Sequence, residues 1–150
     1  MITPSEQLDK RFLELAPLVR TSRPPRGWIR AIREALGMTT GQLAKRLGVR
    51  QPRIVEMEKG EATGNITVQS LERAADAMGC RLVYVLVPKK PLTKMIEERA
   101  SHLAKKKLAL VEQTMRLEDQ EVHDQRFKAQ THQRLITELL RRPARLWDET

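Results

Sequence analysis

The chain has one cysteine, few aromatic residues and no long apolar run. The single cysteine, Cys80, excludes an internal disulfide and fits a reducing compartment. Aromatics make up only 3% of the residues, which suits a helical protein more than a sheet-rich one. With neither a secretory leader nor a bilayer-length apolar segment, the expected location is cytoplasmic, with no membrane partner. The histidines His102, His123 and His132 lie in polar helical sequence far from Cys80, and their spacings match no zinc pattern. There is no glycine-rich phosphate loop and no Ser/His/Asp constellation. The expectation is a protein with no catalytic residues, no metal and no cofactor.

What is plentiful is charge. The 150 residues hold 28 Lys and Arg against 19 Asp and Glu, a net charge of +9. That length allows one domain with an extension, or two small domains. A basic balance suits nucleic acid or an acidic membrane surface, although many soluble proteins are basic without a specific partner.

The strongest local signal is residues 39–60, TTGQLAKRLGVRQPRIVEMEKG. Thr39 and Gln42 are spaced as a capping box, and Leu43, Ala44 and Leu47 share one helical face. Gly48 is placed to stop this helix and Val49 to plug the turn after it. A second helix is expected from about Arg50, with Ile54 and Met57 facing inward and Gly60 ending it. Pro52 fits because it falls in the first turn, where its missing N–H is no loss. A polar loop, residues 61–65, should follow. Thr67 would then cap a helix carrying Leu71, Ala74, Ala75 and Met78, closed by Gly79.

Through Gln42-Leu43-Ala44, Leu47-Gly48-Val49, Ile54 and Glu58-Lys59-Gly60, residues 27–79 resemble the lambda-repressor-like, Xre-type helix-turn-helix domains. Arg50 departs from the pattern, standing where the family usually has a small hydroxyl cap. The resemblance implies that the start of the second helix reaches base edges in the major groove. By position, Gln51 is the adenine reader, Arg53 pairs with guanine or grips a phosphate, and Glu56 accepts from cytosine. Pro52 belongs to the same base-reading set, while Thr40, Arg50 and Lys45 are candidates for phosphate contact. The resemblance also pairs Arg33 with Glu58 as a structural strut.

Ahead of this motif, residues 4–20 read as a helix with Leu8, Phe12, Leu15 and Val19 on one face, Ser5 as its cap and Pro17 as its kink or end. Arg20, Arg23, Arg26, Arg30 and Arg33 follow with no acidic residue among them. Pro24-Pro25 stiffens this stretch into an extended arm, which either tracks phosphates through Arg23 and Arg26 or is a solvated linker. The next helix, from Gly27, turns Ile29, Ile32 and Leu36 inward and is closed by Gly37.

Behind the motif, residues 81–87, RLVYVLV, read as the one β-strand of an otherwise all-α chain. Leu82, Tyr84 and Leu86 lie on one face and Val83, Val85 and Val87 on the other. No second strand is available, so the expected partner is the same strand of a second copy in a homodimer. Ile96, Leu103, Leu110 and Leu117 recur every seven residues along a long helix. A polar section, residues 118–125, separates it from an amphipathic helix with Leu135, Ile136, Leu139 and Leu140 that Pro143 ends. Trp147 either anchors on a partner or folds back. The organisation expected is an N-terminal helix (1–22), the helix-turn-helix domain (23–79), a dimerisation strand and linker (80–91) and a C-terminal helical extension (92–150).

Arg23-Pro24-Pro25-Arg26-Gly27-Trp28-Ile29, the segment 78–88 and the closing Leu146-Trp147-Asp148 make the whole chain similar to the family called mobile mystery protein A. That resemblance implies a regulator from mobile elements, encoded beside a Fic-domain partner in an antitoxin-like arrangement. Two functions follow from it: a dimeric autorepressor on an inverted-repeat DNA operator, and a module that neutralises a Fic-domain toxin through residues 92–150. No Ser/Thr-x-x-x-Glu-Gly/Asn inhibitory helix is present, which argues against direct occlusion of a Fic active site.

Overall fold

A computed structural model describes residues 1–117 and 125–148. His123 and most of the expected polar section lie outside them. The elements are α1 (Pro4–Val19), α2 (Trp28–Ala35), α3 (Thr40–Leu47), α4 (Gln51–Thr63), α5 (Val68–Ala77), α6 (Leu92–Leu117), α7 (Gln125–Arg141) and a 3₁₀ helix (Pro143–Trp147). The fold is all-α. It divides into two compact units, residues 17–86 and residues 1–16 with 87–150, so that α1 contributes to both.

In the unit 17–86, short local signals set the helix ends. Thr39 Oγ1 accepts from the Gln42 N–H at 3.1 Å, and Gln42 Oε1 accepts from the Thr39 N–H at 2.8 Å. These reciprocal bonds satisfy two donors at the start of α3. Gly48, at φ 68°, ends α3 in a left-handed turn. Four helices then enclose one small core of Ile29, Leu43, Ala44, Ile54, Met57, Ala74 and Met78, with Ile32, Leu47, Val49 and Leu71 half-buried around it.

Several expected details are corrected. α4 does not end at Gly60; it runs on to Thr63 and is closed by Gly64 at φ 81°. Gly60 is glycine for another reason: a Cβ there would lie 2.7 Å from the Asn65 carbonyl oxygen, where the chain turns back over the helix. Glu61 is thus helical and buried rather than part of a polar loop. Leu36 sits past the end of α2 and is exposed. Pro24 to Gly27 form a tight turn, with the Gly27 N–H bonded to the Pro24 carbonyl at 2.9 Å, rather than an extended arm.

The start of α2 depends on α4. Gly27 (φ 88°) has no side chain to cap the helix, and the capping acceptor comes from Glu61. Its Oε1 accepts from the Trp28 N–H at 2.7 Å and its Oε2 from the Ile29 N–H at 2.9 Å. A Cβ on Gly27 would meet this carboxylate at 2.6 Å.

The expected strand 81–87 is not formed, and no described residue is in a strand. A ladder needs a second edge to bond, and the single chain supplies none. The segment instead leaves Tyr84 at 74% and Leu86 at 86% exposure.

The other unit is built on a hairpin of α6 and α7. Ala100 and Ala104 are fully buried. The seven-residue repeat does not form a continuous seam: Ile96 and Leu103 are half-buried, whereas Leu110 is exposed and Leu117 is 83% exposed. On a straight helix such a repeat drifts by about 20° per heptad and walks off the packed face. The chain end folds back, but Leu146 is the anchor, fully buried and with its carbonyl held by Arg99 Nε at 2.7 Å. Trp147 remains 54% exposed.

In α1, Phe12 and Leu15 are half-buried while Leu8 and Val19 face out. The cap is Thr3 rather than Ser5: Thr3 and Glu6 exchange backbone and side-chain bonds before the helix proper. Pro17 is accommodated near the end of α1, which continues for two more residues. Pro91 gives α6 no capping side chain, and Asp9 supplies one. Its oxygens accept from the Leu92 N–H at 2.6 Å, the Thr93 N–H at 3.0 Å and the Thr93 hydroxyl at 2.9 Å. Burial pushes the Asp9 carboxyl up, but the bonds from Thr93 and Leu92 together outweigh it, and the pKa lies below its ordinary value.

Two outcomes are expected. Glu61→Ala orphans two N–H groups at the start of α2 and should destabilise its unit by roughly 1–3 kcal/mol. Urea unfolding followed by Trp28 fluorescence in a Trp147→Phe background measures this. A carboxyl whose folded pKa is depressed stabilises the fold above about pH 4, and loses that effect as pH falls through the folded value. The stability difference between wild type and Asp9→Asn should therefore be largest near neutral pH and close below about pH 4. Trp147 fluorescence in a Trp28→Phe background follows that unit; a difference that stays constant with pH would remove Asp9 from the acid limb.

Candidate nucleic-acid interface

α4 is partitioned by its own periodicity. At about 100° per residue, Ile54, Met57, Glu58 and Glu61 fall on the buried side. Gln51, Pro52, Arg53, Val55, Glu56 and Lys59 are all exposed. The first turn therefore offers an amide, a proline ring and a guanidinium to solvent, and the second adds an aliphatic side chain and a carboxylate.

These groups are not independent. Gln51 Nε2 donates to Thr40 Oγ1 at 2.8 Å, which links the first residues of α3 and α4. Arg53 Nη1 lies 3.3 Å from Glu56 Oε2, an exposed pair in which each side chain restrains the other. Arg50 occupies the N-cap of α4 with extended backbone and makes no side-chain capping bond. Lys45 projects from the last turn of α3 into solvent. Arg46 beside it is held by the Ala77 carbonyl at 3.2 Å, and so serves to join α3 to α5.

Behind the exposed face sits a buried ion pair. Arg33 Nε donates to Glu58 Oε1 at 2.5 Å and Nη2 to Glu58 Oε2 at 3.3 Å, while Nη1 bonds the Met38 carbonyl at 2.8 Å. The bonds to Glu58 raise the Arg33 pKa further above its already high value, against the effect of burial. A forked pair of this kind fixes the rotation of α4 about its axis relative to α2. The arrangement does no chemistry; it positions.

Arg23 lies at the other end of α4. Its Nη1 donates to the Glu61 carbonyl at 2.6 Å and its Nη2 to the Ala62 carbonyl at 3.3 Å. Ten residues of helix separate Gln51 from Glu61, about 15 Å. Arg23 is therefore placed as a staple on the last turn of α4. Arg26 is exposed and flanks an open depression beside Arg30, Val55 and Lys59.

Sequence reasoning assigned no site role to Val55, Lys59 or Glu61. The first two were readable as the i+4 and i+8 positions from Gln51. Glu61 continues the inward stripe of Ile54, Met57 and Glu58, and an acid on such a stripe needs donors.

Residues 17–86 carry twelve Lys and Arg against six Asp and Glu. Two of those acids, Glu58 and Glu61, are buried, which leaves the surface more basic than the count suggests. Among the described residues no group of three His, Cys, Asp or Glu is placed to hold a metal ion, and no helix is long and apolar enough to cross a membrane. His132 lies against the Ser101 carbonyl and His102 is exposed.

Residues 29–85 match the HTH_3 family model, described as helix-turn-helix. They form an Xre-type, lambda-repressor-like domain, which supports a DNA-binding regulator of that type. Comparison with curated proteins and with solved structures gives no significant match.

Glu56 is the only acid on the outward face of α4 and it restrains Arg53. Glu56→Gln should therefore tighten binding to a nonspecific duplex. Arg53→Ala should weaken it, lowering the slope of log K against log salt by about 1. Anisotropy of a labelled duplex between about 50 and 200 mM salt reads both. Unchanged affinity and slope in both variants would place this face away from DNA.

Proposed function

We propose that the protein is a sequence-specific transcriptional regulator that binds an inverted repeat as a homodimer and represses its own operon. The observation that carries this reading is the exposed first turn of α4, Gln51 to Arg53, held by the Thr40 bond in front and the Arg33–Glu58 pair behind. Gln51 reads adenine, Arg53 guanine or a phosphate, and Glu56 a cytosine amino group, with Pro52 filling the space between them. Thr40, Arg50, Lys45 and Arg26 grip phosphates. Arg23 contributes to the same surface only by releasing the Glu61 and Ala62 carbonyls, so its part is chiefly structural.

Dimerisation falls to Leu82, Val83, Tyr84, Val85, Leu86 and Val87. The observation in favour is the exposure of Val83, Tyr84, Val85, Leu86 and Val87, with the half-buried Leu82 bordering an apolar groove of about 350 Å³ together with Trp28, Ile32 and Leu71. Pairing with the same segment of a second copy gives each strand the edge that it lacks and covers the groove. Two reading helices would then lie about 34 Å apart, one turn of DNA.

The likeness to mobile mystery protein A extends this proposal to a cytoplasmic, nucleoid-associated regulator of a mobile element with an adjacent Fic-domain gene. A second activity, neutralising that Fic-domain protein through residues 92–150, is favoured by one observation: these helices belong to a compact unit of their own with residues 1–16.

Footprinting on the DNA upstream of its own gene, across a salt series, tests the proposal. The expected result is a protected inverted repeat whose occupancy falls steeply with salt. Gln51→Ala should lower specific binding by roughly 1–3 kcal/mol and leave nonspecific binding nearly unchanged. No protection at low salt, with any adjacent partner present, would end the autorepressor reading.

A further inference from the structure

A groove of about 490 Å³ runs between α6 and α7 and is bounded at one end by the 3₁₀ helix. Its apolar residues are Leu103, Leu135 and Leu139, all half-buried. Four cations rim it: Lys107 from α6, Arg141 from the end of α7, Arg142 at the junction after it, and Arg145 from the 3₁₀ helix. None of the four makes a side-chain hydrogen bond or ion pair among the described residues, although Glu138 and Asp148 stand at the same rim. Elsewhere in the same hairpin, Lys128 is paired with Glu112 at 3.0 Å.

From the geometry we infer that this groove is a docking site for an acidic amphipathic helix of a partner protein. The inference rests on the reading that the C-terminal unit binds protein, and it specifies the chemistry of that contact. Leu135, Glu138 and Leu139 are spaced i, i+3, i+4 along α7, with Arg142 just past its end, and Leu103 and Lys107 are i, i+4 along α6. From Leu135 to Arg141 the groove thus extends about 9 Å along α7, somewhat under two turns of an incoming helix. An apolar floor with a basic rim matches a helix that presents leucine-like anchors flanked by carboxylates. A nucleotide fits less well, because no aromatic side chain borders the groove to stack a base. The phosphate backbone of DNA fits less well too, since it has nothing apolar to set against three leucines.

The test uses the full-length protein and three fluorescein-labelled synthetic peptides of about sixteen residues. All carry leucines at i, i+3, i+4 and i+7; the flanking positions are Glu, Gln or Lys. The Glu peptide should bind at least about tenfold more tightly than the Gln peptide, and the Lys peptide should not bind. Arg142→Glu with Arg145→Glu should weaken the Glu peptide at least about tenfold and make the Lys peptide a ligand. Both residues are exposed, and an unchanged circular dichroism spectrum and melting midpoint confirm that the variant is folded. A Glu peptide with its leucines replaced by serine should lose binding; if it binds equally, the groove is a simple anion site and the proposal fails. It also fails if the three peptides bind alike, if none binds, if the double variant behaves as wild type, or if a nonspecific duplex displaces the peptide. A Fic-domain protein that does not bind, while the Glu peptide does, removes that partner and leaves the groove standing. A Fic-domain protein that binds wild type and double variant equally, with no Glu-peptide binding, removes the groove and leaves the partner.

Discussion

The helix-turn-helix unit depends on two carboxylates that α4 carries into its interior. Glu58 meets the fork of Arg33, and Glu61 accepts from the first two N–H groups of α2. Both belong to the half of α4 that follows its exposed first turn. A buried carboxylate is costly unless its lone pairs are filled, and here donors at fixed points of α2 fill them. Such contacts add little net stability compared with apolar side chains of the same size. What they add is direction: hydrophobic packing tolerates small rotations of a helix, whereas a forked ion pair and a two-point cap do not. The orientation of Gln51 and Arg53 is thus set by groups well over a helical turn away.

A shared device recurs in the other unit. α2 begins after Gly27 and α6 after Pro91, and neither residue can supply a capping oxygen. In both cases the acceptor is a carboxylate from a distant helix, Glu61 for α2 and Asp9 for α6. A cap from the residue next door stabilises a helix; a cap from 30 or 80 residues away also determines what that helix packs against. Asp9 in this way ties the first part of α1 to the C-terminal hairpin, which is why α1 is shared between two units instead of standing as a separate N-terminal element.

That distinction also explains what the sequence made legible. Helix ends governed by neighbours, such as the Thr39–Gln42 box and Gly48, are written in adjacent letters and were readable. Glu61 was not, because its partners are 32 and 33 positions away and the glycine before it suggested a helix end. The useful signal was the missing cap at Gly27 together with an acid on the inward stripe of α4. Residues 81–87 illustrate the opposite case. Their strand propensity is plain, but a ladder is a property of two edges, and one chain offers only one. The candidate readers fall between these extremes: their exposure on α4 follows from its periodicity, whereas the Thr40–Gln51 and Arg53–Glu56 contacts depend on geometry.

Charge is distributed in keeping with two different surfaces. The unit 17–86 has twice as many cations as acids, and two of its acids are internal, as is Arg33, so its exterior is strongly basic. Such an excess suits a polyanion. The other unit is closer to balance, with sixteen Lys and Arg against thirteen Asp and Glu. Four of its cations, none with a side-chain partner among the described residues, stand around one apolar groove. At physiological salt a cluster of that kind is felt only within about 8 Å. Its effect is thus one of close contact, where it can select the ligand that brings carboxylates and an apolar stripe together to the same groove.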